Sequence, residues 1–175
     1  MTALPSPSQT IGPFFRFGFG WMDATHLVDE TADGALTLEG VVLDGAGAPV
    51  PDAVVEIWQA DESGAFPPAT ASRWTGFGRA QTDDAGRYRF VTVAPGPVDD
   101  ACAAHIDVSV FARGLLQRVV TRVYLPGSEI SEPTDPALRA VPADRRATLV
   151  AEPVEGGLRF DIRLQGERET VFFAW

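Results

Sequence analysis

Residues 53–59 read AVVEIWQ, and their alternation decides the fold class. In an extended chain successive side chains point to opposite faces, so Val54, Glu56 and Trp58 share one face and Val55 and Ile57 the other. The same short, β-branched pattern recurs outward from this stretch. Residues 36–43 (LTLEGVVL) run into the turn Asp44-Gly45-Ala46-Gly47. Residues 78–82 (GRAQT) reach Asp83-Asp84-Ala85-Gly86, and residues 87–93 (RYRFVTV) follow with Tyr88, Phe90 and Thr92 on one face. This pair predicts a hairpin ended by Ala94-Pro95-Gly96. Residues 105–112 (HIDVSVFA) and 119–125 (VVTRVYL) predict a second pair across Gly114, and residues 148–151 and 158–164 flank a closing turn at Glu155-Gly156-Gly157. With 17 glycines and 14 prolines as punctuation, the pattern predicts an all-β, antiparallel β-sandwich. Helical signals are confined to residues 132–147, where Asp135-Pro136 reads as a cap and first helical position and Pro142 keeps each piece short. Residues 1–175 are expected to form one domain, with residues 1–30 as an N-terminal arm and irregular lead-in.

Composition narrows the function classes. The chain has 175 residues and a net charge of −10, and all 14 of its basic residues are arginines. Without lysine there is no Schiff-base chemistry. The acidic balance disfavours nonspecific nucleic-acid binding. No apolar run is long enough to span a membrane, and Met1 to Ser8 carry no secretory pattern, so a cytoplasmic location is expected. One cysteine, Cys102, excludes an internal disulfide and a cysteine-rich zinc site. Neither a G-x-S-x-G elbow nor a phosphate-cradling loop occurs.

Several residues still carry chemical potential. Cys102 lies three residues before His105, but its Ala-Cys-Ala-Ala setting has no basic neighbour and favours a packed thiol. In a strand, His105 and Asp107 of His105-Ile106-Asp107 point to one face, where the pair could reach a metal. No histidine follows position 105 and His26 lies in the irregular lead-in, so a structural pair is the favoured reading. Arg113 precedes Gly114 at a strand end, a place from which a guanidinium can meet an anion; the plainer reading is a solvated arginine paired with an acid. The plain reading extends to Arg79, Arg118 and Arg122. The arm, with Phe14, Phe15, Phe17, Phe19 and Trp21, and the terminus Val171-Phe172-Phe173-Ala174-Trp175 are too apolar to be free tails. Each is expected to cover this domain or to meet a partner.

Four stretches resemble the intradiol ring-cleavage dioxygenases. They are residues 7–14 (PSQTIGPF), residues 38–44 (LEGVVLD) continuing to 55–61 (VEIWQAD), the hairpin region 76–88 (GFGR…TDDAGRY), and the tail 159–173 (RFDIRLQG…TVFF). The resemblance implies an intradiol-type β-sandwich with an extended N-terminal arm. It is nearest to the non-metal, alpha-type subunits of the heteromeric members. Those enzymes cleave protocatechuate, a carboxylated catechol, with O2 to 3-carboxy-cis,cis-muconate in aromatic catabolism. The family's iron(III) is held by two tyrosines and two histidines, the histidines as H-x-H on one strand. Here Asp107 replaces the second histidine, and Val98 and Asp99 stand where a ligand tyrosine is expected. The chain's tyrosines, Tyr88 and Tyr124, fall elsewhere. The resemblance therefore implies that His105 and Asp107 mark a vestigial position with no metal in this chain. Iron(III) would be bound by a homologous beta subunit, within a larger alpha–beta oligomer. It also implies that Thr10, Ile11, Gly12, Pro13 and Phe14 form pocket wall at the shared interface and that Arg113 contacts the substrate. Phe14 departs from a tyrosine common in the family. The competing reading is a transthyretin-like sandwich with a purely structural or binding role.

Overall fold

The structure, a computed structural model, describes residues 10, 17–18, 24–67, 74–128 and 134–174. In chain order the strands are β1 (Ala35–Leu43), β2 (Val54–Trp58), β3 (Phe77–Gln81), β4 (Arg87–Val93), β5 (His105–Phe111) and β6 (Val119–Tyr124). A helix α1 (Pro136–Ala140) and a 3-10 turn (Arg146–Leu149) precede the short β7 (Glu152–Val154), β8 (Gly157–Arg159) and β9 (Ile162–Arg163). One sheet runs β4-β1-β8-β7, with β9 also on β1, and the other runs β3-β2-β5-β6. No helix among the described residues is long and apolar enough to cross a membrane.

The two sheets face each other across one apolar core. Leu38 and Val42 of β1, Val55 and Ile57 of β2, Tyr88 and Phe90 of β4, Ile106, Val108 and Val110 of β5, and Val123 of β6 are all buried in it. The alternation in residues 53–59 is therefore realised: Val55 and Ile57 point inward, while Glu56 and Trp58 face out. Burial of this apolar surface is the main drive holding the sheets together. A buried amide adds a polar stitch between them. Gln59, just past β2, donates from Nε2 to Val93 O at 2.9 Å and accepts from the Thr92 hydroxyl at 2.8 Å. Tyr88 of β4 likewise reaches across β1 to donate to Phe160 O at 2.5 Å, and burial holds its phenol well above the ordinary range.

Two expectations change. The stretches flanking Asp83–Gly86 are not a hairpin: β3 pairs with β2, and β4 pairs with β1 over seven positions in the other sheet. Thr82 holds the end of β3 to the β2 side by its backbone and hydroxyl contacts with Ala53, and the turn then carries the chain over to the facing sheet. Turn chemistry alone does not distinguish a hairpin from such a corner. The sandwich is also not purely antiparallel, because β8 and β9 run parallel to β1. The turn is one of three built alike. In Asp61–Gly64 and Asp83–Gly86 the leading carboxylate accepts from the backbone N–H two and four residues on, and the glycine has a positive φ of 83° and 72°. Asp44 caps its own turn in the same way.

Asp135-Pro136 opens α1 as expected, the carboxylate accepting from Ala137 N and Leu138 N. Leu138, Val141 and Leu149 form a second small cluster with Tyr124, which lays the helix over the outer face of β6. Of the apolar C-terminus, Phe172 packs on the main core and Phe173 on the second cluster, with Phe173 bridging to Val120. That end therefore covers its own domain. Most of the aromatic arm, including Phe14, Phe15, Phe19 and Trp21, lies outside the described residues.

Candidate functional site

Two clusters lie at opposite ends of β5, where the sequence placed its candidates. At the N-terminal end, register sets the arrangement: His105 stands opposite Tyr124, and Asp107 opposite Arg122. All four belong to the sheet's outer face, because Ile106 and Val108 take the inward positions. His105 is buried, with its ring 5.7 Å from that of Tyr124. Its Nδ1–H donates to Ala103 O at 2.7 Å, which leaves Nε2 facing Asp107 Oδ1 at 3.7 Å. Arg122, with a side chain only 16% exposed, donates from Nε to Asp107 Oδ1 at 3.0 Å, and its Nη1 lies 3.9 Å from Asp135 Oδ1. Asp135 is fully buried and also accepts from Ala103 N at 3.1 Å and from the Tyr124 hydroxyl at 3.4 Å.

The donor set can be tested against an iron(III) of the family's kind. Such an ion needs tyrosinate ligands. The Tyr88 hydroxyl is committed to Phe160 O in the core, and burial pushes the Tyr124 phenol up to about 12 despite its contact with Arg122. Cys102 Sγ, a His105 ring nitrogen and an Asp135 oxygen lie within 4.8 Å of one another, yet burial and then Asp135 push the thiol's pKa up, against the thiolate a metal requires. A guanidinium already stands among these groups. The residues do not fit iron(III). Val98, at the expected tyrosine position, is an exposed side chain in the loop before β5.

At the other end of β5, Arg113 leaves the sheet with its side chain 58% exposed. Its Nη2 lies 3.1 Å from Asp52 Oδ2. Asp52, in the turn before β2, is the only described non-glycine residue with positive φ, at 68°. Gly114 N donates to Thr10 Oγ1 at 2.9 Å, so the one described residue of the proposed pocket wall touches the segment that carries Arg113. Ile11, Gly12, Pro13 and Phe14 lie outside the described residues. The fork retains N–H groups for an anion beyond the one turned to Asp52.

The plain surface reading of Arg122 fails: it is a half-buried bridge between carboxylates on different elements. Its signal was present, since Arg122 and Tyr124 alternate on β6 as His105 and Asp107 do on β5. Only the register of the pair brings them together. The Asp135-Pro136 signal predicts only a cap, and nothing local marks the second role of Asp135. Arg79 too is engaged, at 2.6 Å from Glu56. Elsewhere, a cleft of about 650 Å³ on the outer face of β1 and β4 is lined by Arg87, Arg89 and Arg159. These pair with Asp83, Glu30 and Asp161, and neither His105 nor Arg113 lines the cleft.

The model of the dioxygenase family (Dioxygenase_C) matches residues 22–166. The chain is 42% identical to the protocatechuate 3,4-dioxygenase alpha chain of Burkholderia cepacia, over 99% of each chain. It is 33% identical to the beta chain from the same organism, over 77% of this chain and 66% of that one. Among solved structures, the dioxygenase domain of a dioxygenase–carbohydrate-binding fusion from Streptomyces sp. SirexAA-E superposes with a TM-score of 0.61 at 26% identity, covering 81% of this chain and 87% of that one. The chain belongs to the intradiol ring-cleavage dioxygenase family.

Proposed function

We propose that this chain is the alpha, non-metal subunit of a protocatechuate 3,4-dioxygenase and works beside a homologous beta subunit that holds the iron. The near full-length likeness to an alpha chain supports the subunit type, and the guanidinium among His105, Asp107 and Asp135 agrees with iron being held elsewhere. The observation that carries the pocket assignment is the 2.9 Å bond from Gly114 N to Thr10 Oγ1, which ties the N-terminal arm to the strand end bearing Arg113. Bound in the partner, iron(III) would supply the Lewis-acid chemistry for opening the catechol ring with O2.

This chain's share is binding and orientation. Protocatechuate carries a carboxylate, and an exposed guanidinium attracts and aligns such an anion. Asp52 holds one side of the Arg113 fork, which limits the orientations the side chain has to lose on binding. Thr10, Ile11, Gly12, Pro13 and Phe14 supply wall that shields the ring from water. Phe14 offers no phenolic hydroxyl, so the substrate's polar groups are recognised through other contacts.

The test is Arg113→Ala in the assembled alpha–beta enzyme. A charge-assisted bond is worth roughly 1.5–3 kcal/mol, so KM for protocatechuate should rise about 10- to 100-fold with kcat changed little. Catechol, which lacks the carboxylate, should respond weakly to the same change. Unchanged kinetics toward protocatechuate would leave this chain a scaffold with no share in the pocket.

A further inference from the structure

The β5–β6 pair gathers acceptors that need a cation. His105 Nε2 and Asp107 Oδ1 face each other at 3.7 Å, while the ring's Nδ1–H is spent on Ala103 O. Asp135 is 1% exposed, and a carboxylate so placed is costly unless charge and hydrogen bonds compensate it. Neutral donors reach it: the backbone N–H groups of Ala103, Ala137 and Leu138, the Tyr124 hydroxyl and the Cys102 thiol. They supply dipoles but no net charge.

We propose that Arg122 is the resident cation of this centre: its guanidinium ties Asp107 on β5 to Asp135 at the start of α1, does the cross-linking a bound metal would do, and excludes a metal from the cluster. A planar fork suits the task, since its N–H groups diverge toward two carboxylates on different elements. Its charge is permanent, so the cross-link needs no metal supply. In the neighbouring Glu56–Arg79 pair, both partners lie on adjacent strands of one sheet. Arg122 instead reaches from β6 both to β5 and to the segment that caps α1.

Exclusion follows from the same geometry. An ion held by Cys102, His105 and Asp135 would share Asp135 with a positive charge 3.9 Å from that carboxylate, and it would also have to displace the thiol proton. The inference concerns side chains within this chain and does not depend on whether Arg113 meets substrate.

The experiment uses the full chain, alone and with its partner. Arg122→Met keeps much of the apolar stem and removes the charge; its Tm should fall by about 4–10 °C. Arg122→Lys, a point charge unable to fork, should recover part of that loss. Should Arg122→Met not fold, Asp107→Asn gives a milder reading, because it weakens only the outer contact and leaves Arg122 on Asp135. The parent chain, incubated with zinc or iron(III) and desalted, should retain no metal by mass spectrometry beyond that of the Cys102→Ser chain. The proposal is overturned if Arg122→Met unfolds within ~1 °C of the parent. It is equally overturned if the parent keeps one metal per chain that Cys102→Ser or His105→Asn releases.

Discussion

Replacing Gln59 by leucine probes whether the two sheets are joined by polar contacts as well as by apolar burial. The amide is 1% exposed, donates to Val93 O and to Ala60 O, and accepts from the Thr92 hydroxyl. A leucine of similar size fills the space but leaves the Val93 carbonyl and the Thr92 hydroxyl without this partner inside the sandwich. Each buried polar group stranded in this way costs about 1–3 kcal/mol. The added apolar burial offsets part of that, which leaves a net loss of roughly 3 kcal/mol. For a chain of this length each kcal/mol moves Tm by about 2–4 °C, so Tm should fall by ~6–12 °C. Reversible thermal unfolding gives that shift, and urea unfolding should show a lower midpoint with an unchanged slope. Thr92→Val alone should cost less, and Gln59→Leu combined with Thr92→Val should cost less than the two changes summed, because the stranded hydroxyl is then gone. A Gln59→Leu chain within ~1 °C of the parent, or strict additivity in the cycle, would refute the stitch.

Two further predictions concern the turns. Gly86→Ala combines a φ of 72° with a Cβ that would meet Val42 O at 2.8 Å, whereas Gly47→Ala has a similar φ of 78° and open space around it. Both should lose the left-handed penalty of about 1 kcal/mol, and Gly86→Ala should lose clearly more; equal Tm values for the two would refute the close approach. In acid, the Asp61 carboxyl is held below its ordinary value first by the Ser63 hydroxyl and then by Ala65 N–H, and Asp83 first by the Arg87 N–H and then by the Arg87 side chain. A depressed folded-state pKa stabilises the fold above the unfolded value near 3.8 and is lost as pH falls through the folded value. The stability gap between the parent and Asp61→Ala should therefore be full near neutrality and shrink below about pH 4; a gap constant down to pH 2.5 would contradict it.

Local patterning carried much of the fold because the strand signal is local. The alternation in residues 53–59, the turns led by Asp44 and Asp83, and the Asp135-Pro136 cap each depend on neighbours within a few positions, and each appears where the sequence places it. The sequence also determined the chemical inventory. It placed a lone His105 with Asp107 two residues on, ruled out lysine chemistry, and left two tyrosines in strand positions. Tertiary structure decided what depends on distant partners. It sent β3 and β4 to different sheets, because the turn at Asp83–Gly86 is compatible with either course and the long register of β4 on β1 settles it. It set β8 and β9 parallel to β1. It turned Arg122 from a surface charge into a bridge, since only the β5–β6 register and the return of Asp135 bring two carboxylates to one guanidinium. Periodicity reports which face a side chain takes; which charges meet there is fixed by the packing of segments far apart in sequence.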